Sequence, residues 1–475
     1  MIADLKPYAE YKESGLLWLG QVPGHWDVRK PRHIGSLLKG VGGTKEDALP
    51  AGVPCVRYGE LYTTHAYFVR RPKTFIHADR AADYTPLHYG DVLFAASGET
   101  LEDIGKSAVN LIDGTAVCGG DVIILRPSVP VHAPFLGYVM DCRPLANQKA
   151  TMGRGTTVKH VYPDELKHLV FPLPPVPEQA AIVRFLNWAN GRLERAIRAK
   201  RKVIALLNEQ KQAIVHRAVT RGLDPSVPLK PSGIPWLGDI PRHWRVWRLK
   251  FVALNIVDCL HATPRYSDAG THPAIRTADI VAGVVLVDQA KKVSSRDYAR
   301  WTTRLQPQEG DILYSREGER FGIAACVPAA TQLCISQRMM VFRIATQHCS
   351  KFVMWLLNSR STYGQALQDV MGATAPHVNI STIRNYYLAL PLKREQEAVV
   401  ERIGAETHPI EVAIDRLKRE IELLREYRTR LIADVVTGKV DVREAVARLP
   451  EDAAFESGNS EPDLDPELAD EAADE

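Results

Sequence analysis

The chain repeats its own opening. Residues 14–28 read SGLLWLGQVPGHWDV and residues 232–246 read SGIPWLGDIPRHWRV, and nine of these positions match at an offset of 218. Solenoid repeats have periods of only ~20–50 residues, so a repeat at this distance indicates a duplicated domain. Two similar halves present two similar surfaces, which suits a ligand that itself has two similar halves.

The match continues through both halves of the chain. The paired segments are Pro54–Arg57 with Pro273–Arg276, Gly90–Phe94 with Gly310–Tyr314, Gly155–Val161 with Gly372–Val378, Leu173–Gln179 with Leu390–Gln396, and Leu206–Thr220 with Leu423–Thr437. Between these anchors few residues are identical. The anchor motifs are therefore kept in both halves while the sequence between them differs, as expected if each half recognises a different target.

Composition indicates a cytoplasmic protein. No apolar run approaches the ~18 residues of a membrane span, and the first residues, MIADLKPYAEYKE, lack the apolar core of a signal peptide. The seven cysteines are odd in number and form no Cys-x-x-Cys pair. They suit a reducing compartment, and we expect buried thiols rather than a zinc site.

The net charge of +4 conceals a strong asymmetry. The tail Glu451–Glu475 holds eleven acidic residues and no lysine or arginine, so residues 1–450 carry +15, from 60 basic and 45 acidic residues. A basic body favours a polyanionic partner. The tail is predicted to be disordered. It either keeps the chain in solution or competes with nucleic acid for the basic body.

Each half begins with a globular α+β part. Short apolar runs broken by Gly, Pro and Asp predict strands, with one helix beside them in each half. They are Val92–Phe94, Val122–Leu125 and Leu169–Phe171 with a helix near Ala133–Arg143, then Ile312–Tyr314, Met339–Phe342 and Tyr387–Leu390 with a helix over Lys351–Leu357.

A long helix with a seven-residue apolar period follows each globular part. The first has Leu186, Leu193, Leu207 and Ile214, interrupted by Lys200, with a companion row Ala189, Ala196 and Val203; the second has Ile403, Ile410, Leu417, Leu424 and Leu431, with Ile414, Ile421 and Val435. We expect the two helices to pair as an antiparallel coiled coil, although the seam of a homodimer is the alternative. Pro409 is expected to kink or delay the second helix. A helix of about 40 residues would be ~60 Å long.

Catalytic motifs are incomplete in this sequence. Asp164–Lys167 has the residue types of a nuclease site, but its acids are adjacent and its counterpart reads Ser381–Arg384. Gly98–Ser107 looks like a phosphate loop, yet six residues separate its glycines where the motif needs four, so a turn is expected. An Asn/Asp-Pro-Pro-Tyr/Phe set for base methylation is missing. We therefore predict a chain that is not an enzyme and holds no metal.

The ordered motifs resemble the specificity subunits of type I restriction–modification systems. They are the opening Tyr11–Gly15 with Trp18-Leu19-Gly20, Pro23 and His25-Trp26, the Gly-Asp-Val/Ile-Leu-Phe/Tyr strand, the Leu-Pro-Pro…Glu-Gln start of a long helix, and its end, Arg217–Gly222. The resemblance covers about residues 8–447 and includes the duplicated domain order. Pro409 and the acidic tail depart from the family pattern.

The resemblance implies a non-catalytic DNA-recognition subunit. Each globular part would be a target-recognition domain that reads one half of a split DNA sequence, and the long helices would fix the spacer. Two methyltransferase subunits, which use S-adenosylmethionine, and restriction subunits, which use ATP and Mg²⁺, would join it. The predicted segments are 1–175 (first target-recognition domain), 176–222 (first spacer helix), 223–392 (second domain), 393–440 (second helix) and 441–475 (acidic disordered tail).

Candidate DNA contacts are cationic, amide and small polar residues on predicted loops, because base edges and phosphates are read by such groups. In the first domain they are Arg57, Tyr58, Lys106, Arg154, Thr156, Thr157, Lys159 and His160; in the second they are Arg276, Arg316, Gln337, Arg338, Thr374 and His377. Two other functions remain open: a fused restriction enzyme, which the missing motifs oppose, and a duplicated coiled-coil adaptor that does not read DNA sequence.

Overall fold

A computed structural model describes residues 5–43, 45–98, 100, 103–155, 159–318, 320–368 and 377–450. The chain divides into two compact units. One contains the residues up to Lys200 together with those from Arg419 onward, and the other contains Arg201–Lys418. Each unit therefore combines one globular domain with part of both long helices.

Within its described residues, the first half contains many short strands, three α-helices of eight residues or more and two shorter α-helices. The strands are β1 (Tyr11–Glu13), β2 (Gln21–Pro23), β3 (Asp27–Arg29), β4 (Gly35–Lys39), β5 (Val53–Val56), β6 (Tyr67–Val69), β7 (Phe75–Ile76), β8 (Thr85–Leu87), β9 (Val92–Ala95), β10 (Ser97–Gly98), β11 (Ser107–Asn110), β12 (Ala116–Cys118), β13 (Val122–Pro127), β14 (Lys159–His160) and β15 (Phe171–Leu173). The helices are α1 (Tyr58–Thr63), α2 (Ala133–Met140), α3 (Arg143–Met152), α4 (Pro163–Leu166) and α5 (Val176–Arg221).

The second half follows the same order. Its strands are β16 (Leu229–Pro231), β17 (Asp239–Pro241), β18 (Arg245–Arg248), β19 (Ala253–Asp258), β20 (His272–Ile275), β21 (Ile280–Val281), β22 (Val284–Val285), β23 (Lys292–Val293), β24 (Ile312–Ser315), β25 (Ala324–Cys326), β26 (Cys334–Ile335), β27 (Met339–Ile344) and β28 (Tyr387–Leu390). Its helices are α6 (Leu249–Val252), α7 (Ser295–Trp301), α8 (Ser350–Leu357), α9 (Arg360–Leu367), α10 (Ile380–Arg384), α11 (Lys393–Val436) and α12 (Arg443–Ala447).

Each globular domain is built on two sheets. In the first domain a five-stranded sheet has the order β4-β13-β9-β11-β6 and a four-stranded sheet has the order β7-β5-β12-β8. In the second, the sheets are β19-β27-β24-β25 and β23-β20-β26. The central strands β9 and β24 are buried along their whole length, as expected from their mainly apolar sequences, Val92–Ala95 and Ile312–Ser315. The predicted α+β fold class is confirmed.

The repeat recurs as repeated contacts between side chains. Asp91 binds Arg126 at 2.7 Å, and in the second half Asp311 binds Arg343 at the same distance. The glutamates that begin the long helices are also equivalent. Glu178 accepts from His25 and Glu395 accepts from His243, at 2.7 and 2.8 Å.

The long helices pair in antiparallel fashion within each unit. In the first unit Glu194 contacts Arg428 and Lys200 contacts Glu420, so ascending positions of α5 meet descending positions of α11. In the second unit Lys211 contacts Glu411. The predicted seam of α11 is found, with Ile403, Ile410, Ile414, Ile421 and Leu431 buried.

Two expectations about these helices are wrong. Val203, expected in the companion row, is 44% exposed, and the half-buried positions in this stretch of α5 include Lys200, Ile204 and Leu207. Helix α11 also begins at Lys393, well before Pro409, so the expected delay of the helix does not occur. A proline inside a helix costs ~3 kcal/mol, and the neighbouring Ile403 and Ile410, which are buried, supply the packing that offsets it.

Candidate nucleic-acid interface

A two-stranded ladder in the first domain holds part of the predicted Gly-x-Thr-x-x-His loop. Strand β14 pairs with β10, with Ser97 opposite His160 and Gly98 opposite Lys159. The hydroxyl of Ser97 lies 3.0 Å from Nδ1 of His160. The backbone of Arg154 exchanges both hydrogen bonds with that of His160. Arg154 and His160 are thus paired with each other beside β10.

The second domain has the equivalent ladder with different side chains. Glu317 pairs with His377, and the backbone N–H of Val378 donates to the carbonyl of Arg316 at 3.1 Å. Glu317 occupies the place of Ser97 and His377 that of His160. Three other predicted contacts, Thr156, Thr157 and Thr374, lie outside the described residues.

Three cationic candidates of the first domain each bind a neighbouring group of the protein. Arg154 is 75% exposed in its side chain and its Nε lies 2.7 Å from Glu165. The ammonium of Lys159 donates to the carbonyl of Gly155. Lys106 binds Asp141 at 3.0 Å. Among these, Arg154 is the most exposed to solvent, and a phosphate could replace Glu165 as the partner of its guanidinium.

Arg57 and Tyr58 belong to a different part of the first domain. Arg57 precedes α1 in extended conformation, and both residues are half-buried. Tyr58 packs against Tyr62 with ring centroids 6.1 Å apart. The candidates predicted for the first domain therefore lie in two separate places, some at the ladder and some at the start of α1.

Arg316 is the most enclosed of the second-domain candidates. Its side chain is 9% exposed and lies 3.2 Å from Asp258 and 2.5 Å from Glu317. Arg338 stands next to it, with φ +68 and 46% of its side chain exposed, 4.0 Å from Glu317. Arg316 is suited to position Glu317, whereas Arg338 is free to reach outward.

The remaining two candidates in this domain, Arg276 and Gln337, differ in how firmly their side chains are hydrogen-bonded within the protein. The guanidinium of Arg276 is bound by Asp279 through two hydrogen bonds of 3.0 Å. Gln337 is exposed and its carbonyl accepts from Thr263 at 3.3 Å. Of this pair, Gln337 presents the more accessible polar group.

Sequence reasoning missed the carboxylates that hold these cations. Glu165, Asp258 and Glu317 each contact a candidate arginine. For Glu317 a signal existed, because it follows Gly310 by the same seven residues that separate Ser97 from Gly90. For Glu165, on helix α4, and Asp258, at the end of β19, the sequence gives no such signal, because their arginine partners are brought close only by the tertiary fold.

One group of possible metal ligands lies near this site. Asp258, Cys259 and His261 bring their donor atoms within 4.8 Å of one another. The carboxylate of Asp258 is already bound by Arg316 and by His261, at 3.2 and 3.0 Å. Burial raises the pKa of the Cys259 thiol, which disfavours the thiolate that a metal needs. These contacts give no reason to assign a metal.

All seven cysteines are free, and five of them are buried. In the described part of the chain, no helix is both long and apolar enough to cross a membrane.

Comparison with known proteins gives one consistent result. Residues 258–421 match the family described as "Type I restriction modification DNA specificity domain". The chain is 21% identical over 402 residues to the type I restriction enzyme EcoKI specificity subunit of Escherichia coli strain K12, covering 81% of this chain and 82% of that protein. It is 22% identical over 448 residues to the type I restriction enzyme MjaIX specificity subunit of Methanocaldococcus jannaschii, covering 92% and 97%.

A solved structure supports the fold as well. It comes from a study of complex assembly and conformational transition of the type I R-M system, and covers 87% of this chain and 98% of that one. The TM-score is 0.59 at 16% identity.

The duplicated motifs and the two equivalent ladders define a two-domain protein made by internal repetition. Residues 258–421 match the specificity domain of type I restriction–modification systems, and the chain as a whole is similar to specificity subunits of such systems. The resemblance inferred from the motifs is confirmed.

Proposed function

We propose that this chain is the DNA-recognition subunit of a type I restriction–modification complex and reads a two-part DNA target. The observation that carries the proposal is the repeated ladder with different side chains. Ser97 and His160 form it in the first domain, and Glu317 and His377 form it in the second. Two domains that recognise different DNA sequences need the same backbone arrangement with different polar side chains, and the ladders have this property.

The two ladders differ in charge as well as in shape. Beside the first ladder stands the exposed cation Arg154, and beside the second stand Arg338 and the carboxylate of Glu317. Arginine favours guanine in the major groove, whereas a carboxylate accepts from the amino group of cytosine. The halves of the target are therefore expected to differ, so that the full site is asymmetric. The excess positive charge of residues 1–450 would supply phosphate attraction.

Catalysis is assigned to partner proteins. Two methyltransferase subunits would bind S-adenosylmethionine and modify each half of the site, and restriction subunits would use ATP and Mg²⁺. The chain itself would contribute recognition and assembly without chemistry of its own. Since its proposed ligand is chromosomal DNA, we assign it to the cytoplasm.

A genome-wide map of methylated adenines, with and without the gene, tests this function. Loss of methylation at one split motif with a fixed spacer is expected on deletion. If no motif changes, the purified chain is tested for duplex binding over a salt series. Binding that is weak and insensitive to salt would favour the alternative of a duplicated adaptor that does not read DNA, because phosphate contacts give a steep salt dependence.

A further inference from the structure

The tryptophan of the repeated opening motif lines a cavity in each unit. In the first unit the cavity has a volume of about 590 Å³ and in the second about 260 Å³. The main polar and aromatic lining residues of the first are Trp18, Arg143, Asn147, Arg430, Asp434 and Lys439. Those of the second are His216, Thr220, Arg221, Trp236, Arg360 and Ser361.

The two cavities are built from equivalent parts of the repeat. Trp18 corresponds to Trp236 and Arg143 to Arg360, at offsets of 218 and 217. Arg143 is the first residue of α3 and Arg360 is the first residue of α9. The opposite wall is in each case the last turns of a long helix, α11 in the first unit and α5 in the second. The same pocket has therefore been kept twice.

Both equivalent arginines lack an ionic partner among the residues that the structure describes, although charged side chains are near. In the first cavity Asp434 is held by Lys439 at 3.1 Å and by Arg430 at 3.6 Å. Arg143 is left with an exposed guanidinium at the positive end of α3. A guanidinium in this position is suited to a carboxylate, which it can bind through two hydrogen bonds.

The second cavity is lined by cationic residues and by buried polar groups. Arg221 also lies on its wall and has no ionic partner in the described part of the chain. The indole N–H of Trp236 and Nδ1 of His216 are buried without a hydrogen-bond partner there. Burial, and then the charges of Arg360 and Arg221, lower the pKa of His216. The wall thus gathers positive charge and unused hydrogen-bonding groups, with no acid among its lining residues.

We propose that each cavity binds a carboxylate-bearing segment of one of two identical partner chains, with Arg143 and Arg360 as the equivalent anchors. This proposal rests on the proposed function and adds to it the place where each methyltransferase subunit attaches. Two equivalent pockets in one chain explain how a single subunit can hold two copies of the same partner.

A protein segment fits the pockets better than DNA phosphate does. In the first cavity Glu426 and Asp434 stand on the α11 wall, opposite Arg143 on α3, so a single carboxylate can bind at Arg143 while a run of phosphates extending along the α11 wall would be repelled. Leu17, beside Trp18, is fully exposed and offers an apolar contact that a peptide side chain can cover. Trp18 and Trp236 add aromatic surface, and tryptophan and arginine are the residues that most often anchor protein–protein interfaces.

The position of the first cavity also connects it with the candidate DNA site. Arg143 begins α3, and the helix ends at Met152, just before Arg154, which pairs with His160. An occupant at the start of α3 is therefore one short helix away from the ladder. Partner attachment and DNA contact would share a rigid element in the first domain.

The experiment counts partner copies on the full-length chain. The purified methyltransferase subunit of the same system is titrated into wild type, Arg143→Glu, Arg360→Glu and the double variant, with mass measured by light scattering. Wild type is expected to bind two copies, each single variant one copy at wild-type affinity and the other at least about tenfold more weakly, and the double variant neither tightly. Arg143→Lys, which keeps the charge, is expected to retain most of the affinity.

Controls separate this idea from the proposed function. Arg71→Glu and Arg296→Glu make the same charge change at exposed arginines outside both cavities and are expected to bind two copies. Melting temperatures near that of wild type exclude unfolding as the cause of a loss. Single variants that bind two copies with wild-type affinity would overturn the proposal, with DNA recognition intact. Variants that bind the partner normally but lose duplex DNA would also overturn it, in favour of phosphate binding. A wild-type chain that binds no methyltransferase subunit would contradict the proposed function as well.

Discussion

The ammonium of Lys149 is completely buried and lies 3.5 Å from the carboxylate of Asp141. Asp141 also accepts from the backbone N–H of Ser107 at 3.0 Å. In the second half the equivalent of Asp141 is Asn358, which accepts from the N–H of Ala324 at the same distance. The equivalent of Lys149 is Ala366, which is likewise buried. The same two positions of the repeat thus hold two charged residues in the first domain and two uncharged residues in the second.

Exchanging this pair is expected to show that its two members depend on each other. Lys149→Ala leaves Asp141 with Lys106 as its remaining cation and should lower the free energy of unfolding by roughly 3–5 kcal/mol. The double variant Asp141→Asn with Lys149→Ala recreates the pair of the second domain and should recover much of that loss. Urea unfolding of both single variants and the double variant checks this. Equal stability of Lys149→Ala and the double variant would contradict the coupling.

The buried pair of Glu60 and His65 predicts sensitivity to acid. Burial alone would raise the pKa of Glu60, but hydrogen bonds from His65, Thr74 and the backbone of Lys73 lower it below its usual value. A carboxyl whose pKa is lowered by folding stabilises the fold above its unfolded pKa, and this contribution is lost as the pH falls through the folded pKa. Unfolding measured from pH 7 downward should therefore show a smaller loss of stability in Glu60→Gln than in wild type. Parallel curves would exclude Glu60 as a source of the acid sensitivity.

The sequence predicts the frame of this protein better than its contacts. The duplicated motifs identify the repeat, and the seven-residue spacing predicts α5 and α11, because both signals are periodic and local. The partners of the candidate cations are not predictable in this way. Asp258 reaches Arg316 only through the pairing of β19 with β27 and of β27 with β24, which brings distant segments together. Val203 illustrates a second limit, since an apolar residue in a regular row can still lie on the outside.

Arg154 and Arg338 are expected to act on different halves of the DNA target. Both are substantially exposed beside their ladders, one in each domain. Arg154→Ala should weaken binding by roughly 1–3 kcal/mol on any duplex that contains the first half-site, and should leave a duplex that contains only the second unchanged. Arg338→Ala should give the reverse pattern and serves as its matched control. Binding to duplexes with one half scrambled measures this, and equal losses on both would mean that the two arginines contact phosphates rather than bases.

The paired helices are expected to set the spacing between the half-sites. The ion pairs Lys200–Glu420 and Lys211–Glu411 bracket residues 201–207 of α5 and 413–419 of α11. Removing both seven-residue segments takes one heptad from each helix and keeps both ion pairs. Seven residues correspond to ~10 Å of helix, and hence to about three base pairs of B-DNA. Mapping methylated adenines in cells that carry this variant should therefore give the same two half-sites with a changed spacer. Removing 201–207 alone should disturb the pairing and abolish methylation, because the apolar rows no longer meet. An unchanged spacer in the double deletion would refute the role of the helices in spacing.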